Sequence, residues 1–182
     1  MSSISPIPAL FSTPGKIAVV TGGSRGLGLH AATGLLLSGC SKVYITSRKV
    51  SACEEAVKAL NAINGIQGKA ISVPADISKP EEITRFVKEL EKDTDHVDIL
   101  VANAGATWGA PYGSWKKEYW DKVMNLNVTS VFLLVQEMTP SLPKTPQSPI
   151  PPALSPPPQS RESKASQPVQ TPRSPTQPPK PQ

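Results

Sequence analysis

The feature that most constrains this chain is an alternation of short apolar runs with segments of helical periodicity, sustained from Lys16 to Met138. Lys16–Thr21 (KIAVVT) is a continuous apolar run ending in a glycine-rich turn, the mark of a parallel strand buried on both faces. Apolar positions at Leu27, Ala31, Leu35 and Leu36 then follow helical spacing. Val43–Thr46 and Lys69–Val73 read as the next two strands, and Asp98–Ala102 as the fourth. Ser51 with Glu54, and Ser78 with Glu81 around Pro80, read as capping boxes for the helices between them. Ser114 is expected to cap one long helix reaching Met138. Strict alternation of this kind gives an α/β fold: a doubly wound, Rossmann-like parallel sheet, here of four strands in the order 3-2-1-4 with helices on both faces.

Composition sets the bounds of that body. Of 21 prolines, 15 lie between Pro140 and Gln182, whereas all 12 glycines and every aromatic residue precede Pro140. The expected organisation is therefore a loose N-terminal arm over 1–13, a globular domain over 14–139 and a disordered Pro/Ser-rich tail over 140–182. The formal net charge of +5 resides mostly in the tail, which carries +4, so it gives no ground for a nucleic-acid-binding fold. Cys40 and Cys53 form no CxxC, and no run of 18 apolar residues exists, so a cytoplasmic chain without disulfides or membrane spans is expected. In the tail, proline recurs every third residue from Pro140 to Pro152 and from Pro172 to Pro181. That is the period of polyproline II, and it resembles a ligand for SH3 or WW domains.

The chemistry is concentrated at the first turn. Thr21–Gly28 reads TGGSRGLG, between a strand and a helix. In such a turn Gly22 permits the tight bend, Gly26 lets a pyrophosphate approach the backbone, and Gly28 lets the helix pack closely on the strand. The helix N-terminus offers unpaired N–H groups to phosphate. At the end of the second strand stands Ser47–Arg48–Lys49 with no acidic residue, and Arg25 lies within the turn. An acidic residue there would accept a ribose 2′-OH and repel a 2′-phosphate. Two guanidinium groups instead suit the phosphate, so NADP(H) is expected over NAD(H).

With three further signals in order, the chain resembles the short-chain dehydrogenase/reductase family over about residues 14–138. TGGSRGLG matches the family's TGxxxGxG, and Asn103–Ala104–Gly105 looks like its NAG motif. Asp76, followed by Ile77, looks like the acidic residue at the adenine, and Asn127 in NLNVTSVF like the catalytic tetrad asparagine. Within the family the look is that of 3-oxoacyl carrier-protein reductases and rhamnolipid-type ketoreductases. The resemblance implies a cofactor site of Thr21, Gly22, Ser24, Arg25, Gly26, Leu27, Gly28, Arg48, Asp76, Ile77, Asn103, Ala104 and Gly105. It also implies hydride transfer between NADP(H) and a small carbonyl or alcohol substrate.

In the family a serine and a Tyr-x-x-x-Lys pair complete the tetrad, beyond the asparagine. This chain has only Tyr44, Tyr112 and Tyr119, all before Asn127. Tyr112–Lys116 spells the spacing but precedes the long helix, and is read as coincidence. The expectation is an oxidoreductase by descent whose chain, as given, is inactive alone. The alternative is a non-catalytic dinucleotide-binding or proline-rich interaction protein. Without a fifth strand, Ile99–Val101 is expected to form an exposed apolar edge, and the helix around Val123–Val135 to lack a packing partner.

Overall fold

The computed structural model describes residues 11–142. Most of the expected arm and nearly all of the proline-rich segment, with the SH3/WW reading, lie outside the described residues. Four parallel strands, β1 (Ile17–Thr21), β2 (Lys42–Thr46), β3 (Lys69–Ser72) and β4 (Ile99–Val101), form one sheet in the order β3-β2-β1-β4. The expected fold and strand order are both found. β1 is central, with Val19 opposite Tyr44 on β2 and Leu100 on β4. Every residue of β1 is buried, because helices cover both faces of the sheet.

Alternation along β1 feeds two separate core layers. Ala18 and Val20 meet Leu36, Ile45 and Leu60, under α1 (Gly26–Leu37) and α2 (Val50–Asn61). Ile17 and Val19 meet Tyr44, Ile83, Phe86, Leu90, Leu134 and Met138 on the opposite face. There α3 (Pro80–Glu91) presents Ile83, Phe86, Val87 and Leu90, the i, i+3, i+4, i+7 stripe of an amphipathic helix. Fully burying a side chain such as Phe86 contributes roughly 1.5–3 kcal/mol. β4, at the sheet edge, is half-buried at all three residues.

Several local expectations need correction. Neither Ser51, Ser78 nor Ser114 caps a helix: the N-cap positions are Lys49, Lys79 and Lys116, none with a side-chain cap bond. Ser51 already lies inside α2. The Ser78 hydroxyl donates to Asp76 at 2.7 Å, and that of Ser114 to the Pro111 carbonyl at 2.9 Å. The single long helix is in fact two, α4 (Lys117–Met124) and α5 (Ser130–Met138), joined by a π-turn over Asn125–Thr129. The carbonyl of Asn125 accepts from both the backbone N–H and the hydroxyl of Ser130, which fixes the wider turn. The buried stripe of α1 is Gly28, Ala32 and Leu36, and Leu27 is 80% exposed. Val128, Phe132 and Val135 are exposed, the unpartnered helix face that was expected.

At the opposite end of the sheet from the glycine turn, Asp98 accepts from Lys16 Nζ at 2.7 Å and from the backbone N–H of Ile17 at 2.9 Å. Burial pushes its carboxyl pKa up, but these two donors and the Lys16 charge outweigh it and hold the group below the usual aspartate range. A carboxyl whose pKa falls on folding stabilises the fold above its unfolded value near 3.9 and loses that contribution as pH drops through the folded value. Resistance of the chain to urea is therefore expected to fall as pH drops below about 4, and Asp98→Asn to flatten that acid limb. Identical pH profiles for the two proteins would exclude Asp98 as a contributor.

Candidate functional site

The carboxyl ends of all four strands open on one cleft of about 800 Å³. In an open parallel sheet this is the crevice where ligands bind. Its floor is the glycine-rich turn. Gly22 has φ +67°, and a Cβ there would lie 3.0 Å from Ala104 Cα, so only glycine fits without strain. Gly28 is pressed against the carbonyl of Gly22 and the Asn103 side chain. Gly26 has φ +57°, yet nothing lies within 4 Å of where its Cβ would stand. The three glycines thus occupy three different environments: a bend, an open approach and a close contact of the helix with the turn.

The packing of Gly28 against Gly22 and Asn103 turns Leu27 outward, since successive helical residues are rotated by about 100°. The Leu27 side chain accordingly does not line the cleft, and only its backbone is available there. The first bond of α1 runs from the Leu29 N–H to the Arg25 carbonyl. Among the described residues the N–H groups of Gly26, Leu27 and Gly28 have no partner, and no side chain caps the helix. This is an anion-accepting helix end, to which the helix dipole adds.

The wall opposite is pinned to β1 by residues far away in sequence. Asn103 donates its side-chain N–H to the Thr21 carbonyl at 3.0 Å, and the Ala104 N–H donates to the Thr21 hydroxyl at 3.0 Å. Thr21 itself is fully buried and serves as the anchor of this wall. Asn127, in the π-turn, exchanges two hydrogen bonds with Ala106: its amide donates to the carbonyl at 2.8 Å, and its Oδ1 accepts the N–H at 2.9 Å. It is a bridge within the fold and does not line the cleft.

Arg25, Ser47, Arg48 and Lys49 line the end of the cleft over β2. None of the three cations there makes an ion pair among the described residues. Thr46 also faces the cleft, and its buried hydroxyl has no hydrogen-bond partner. The β3 side contributes Asp76, Ile77 and Ser78. Ser24, Asn103, Ala104 and Gly105 complete the expected residues that line it.

Sequence reasoning missed Trp108, Lys122 and Asn125, which line the cleft as well. Trp108 stacks on Tyr119 with ring centroids 4.5 Å apart, and Lys122 Nζ stands 5.3 Å from the Trp108 ring. No periodicity links a loop tryptophan to a helix tyrosine, so no local signal marks this pair. No tyrosine lines the cleft. Tyr44 is buried in the sheet core with its hydroxyl bonded to Asp93, its pKa raised by burial and by that carboxylate. Tyr112 is fully exposed elsewhere, and Tyr119 stands behind Trp108.

A doubly wound parallel sheet with an anion-accepting glycine turn at its switch point defines a dinucleotide-binding α/β protein. The short chain dehydrogenase model matches residues 16–150, and the chain belongs to that family. It is 43% identical over 132 residues to the rhamnolipids biosynthesis 3-oxoacyl-[acyl-carrier-protein] reductase of Pseudomonas aeruginosa, covering 72% of this chain and 50% of that protein. It is 35% identical over 130 residues to the 5-keto-D-gluconate 5-reductase of Escherichia coli, with 71% and 50% covered. Among solved structures, the NADP active-site complex of Pseudomonas aeruginosa RhlG superposes with a TM-score of 0.67 at 43% identity, over 72% of this chain and 49% of that one. A metagenomic short-chain oxidoreductase in complex with NADP gives 0.64 at 32% identity, over 70% and 57%. The chain spans about half the length of the curated relatives it matches.

Proposed function

We propose that this chain binds NADP(H) in the cleft above the sheet. One observation carries the reading: Arg25 and Arg48 both line the cleft at the acid-free end of β2, beside a helix end whose N–H groups are unpartnered among the described residues. A 2′-phosphate there gains charge-assisted bonds from two guanidinium forks. The pyrophosphate fits the open approach over Gly26. Asp76 and Ile77 serve the adenine end, and Asn103–Gly105 the ribose and nicotinamide end. The solved relatives that carry NADP support the same assignment.

When bound, the cofactor supplies hydride for carbonyl reduction or accepts it in alcohol oxidation, the chemistry of the family's oxidoreductases. This chain's own residues bind and orient the nucleotide. Asn127 holds the loop after β4 through Ala106. No tyrosine reaches the cleft to give or take the substrate proton, so the chain as it stands is a binding half that does not turn over alone. Two buried free cysteines support a reducing compartment, the cytoplasm.

Titration of the full chain by nicotinamide fluorescence is expected to show NADPH binding about tenfold or more tighter than NADH. Equal affinities would sink the cofactor assignment. Ketoreductase assays with NADPH and a 3-oxoacyl thioester are expected to show no turnover. Activity that persists in Tyr112→Phe would overturn the inactive reading.

A further inference from the structure

The π-turn between α4 and α5 carries two asparagines that reach opposite walls of the cleft. Asn127 holds the loop after β4, as described above. Asn125 donates its side-chain N–H to the carbonyl of Ser78 at 2.9 Å, in the turn between β3 and α3. Ser78 in turn holds Asp76: its backbone N–H and its hydroxyl both donate to Asp76 Oδ1, at 3.1 and 2.7 Å. Among the described residues Asp76 Oδ2 has no partner. The chain Asn125–Ser78–Asp76 therefore engages one carboxylate oxygen and leaves the other unengaged, on a residue that lines the cleft.

We infer that Asn125 is a positioning residue for base recognition: acting through Ser78, it orients Asp76 so that the unengaged oxygen accepts from the 6-amino group of a purine. This inference rests on the NADP(H) reading above. A carboxylate accepts and cannot donate, so the site favours adenine over hypoxanthine, which carries a carbonyl at position 6. The π-turn makes the arrangement possible. An i→i+5 turn carries Asn125 and Asn127 on one short segment yet sends them to different loops. Asn125 touches no reacting atom, and its effect is on which base is bound.

The test compares the full chain's affinity for NADPH with that for reduced nicotinamide hypoxanthine dinucleotide phosphate, by nicotinamide fluorescence. The unaltered chain is expected to prefer adenine by about tenfold, the scale of one hydrogen bond to a charged group. Asn125→Ala and Ser78→Ala are each expected to bring that ratio to within about threefold of unity. Ser78 is a half-buried turn residue, and its variant, which removes the hydroxyl donor to Asp76 and leaves the backbone N–H donor, keeps the test open if Asn125→Ala folds poorly. A purely structural role would weaken both nucleotides equally and leave the ratio unchanged, which would overturn the inference. Asp76→Asn calibrates the site: its amide can donate to the hypoxanthine carbonyl, so the preference should reverse. If Asp76→Asn leaves the ratio unmoved, the adenine reading itself fails, and the role of Asn125 with it. If Asp76→Asn shifts the ratio and the other two variants do not, only the positioning role fails.

Discussion

Gly28→Ala is expected to unfold the chain or cost it about 3 kcal/mol or more, and to abolish NADPH binding. The added methyl would lie 2.6 Å from Asn103 Nδ2 and closer still to the carbonyl of Gly22. Neither neighbour can yield cheaply. The carbonyl is backbone in a turn with positive φ, and the Asn103 amide is committed to Thr21. Relief would push α1 off the sheet, taking the unpartnered N–H groups of its first turn with it. A domain of this size has only about 5–15 kcal/mol in hand. Gly34, in the same helix, provides the internal control: nothing lies within 4 Å of its would-be Cβ. Gly34→Ala is expected to stabilise by roughly 0.5–1 kcal/mol, because alanine loses less backbone entropy in a helix. Urea midpoints of the two variants should move in opposite directions. Equal midpoints would contradict the close contact of α1 with the turn.

The second large effect is expected from Arg48→Glu, which should shift the NADPH-to-NADH affinity ratio by about 100-fold toward NADH. Opposite unit charges about 4 Å apart are worth on the order of 4 kcal/mol at an effective dielectric near 20. Arg48 is exposed, so salt and solvent reduce this to the 100-fold scale. The substituted carboxylate repels a 2′-phosphate and accepts a ribose 2′-OH, which is how NAD-preferring sites discriminate. Arg25→Ala should move the ratio about tenfold, since Arg48 and Lys49 remain. The preference should also fade with added salt. A ratio unmoved by Arg48→Glu would mean that the 2′-phosphate is not held over β2.

The sheet was legible because its strands are buried on both faces, so that Ile17–Val20 and Val43–Ile45 read as unbroken apolar runs. The roles of Gly22, Gly26 and Gly28 were legible because each depends on the absence of a side chain, which sequence records directly. Helix starts were not. Ser78 and Ser114 are the residue types that cap helices, yet each hydroxyl is taken by a closer partner, Asp76 or the Pro111 carbonyl. The outward turn of Leu27 follows from the fit of Gly28 against Gly22, a contact that hydropathy does not see. The bonds of Asn103 to Thr21 and of Asn125 to Ser78 join residues 82 and 47 positions apart. They depend on the sheet being assembled, so no local pattern announces them. Among site residues, Lys122 and Trp108 come together only through such tertiary contacts.

The wide turn at Asn125–Thr129 gives the segment from Lys117 to Met138 two angular phases. Upstream of it, Val123 faces the cleft; downstream, Leu134 and Met138 face the core. A uniform α-helix advances about 100° per residue, so it would have to absorb the surplus residue of the π-turn by rotating one half against the other. Either Leu134 and Met138 would swing away from Phe86, or Asn125 and Asn127 would lose their loops. The turn acts as a phase shifter: one continuous stretch of chain serves hydrocarbon on one side of the joint and polar recognition on the other, and neither is tuned at the expense of the other.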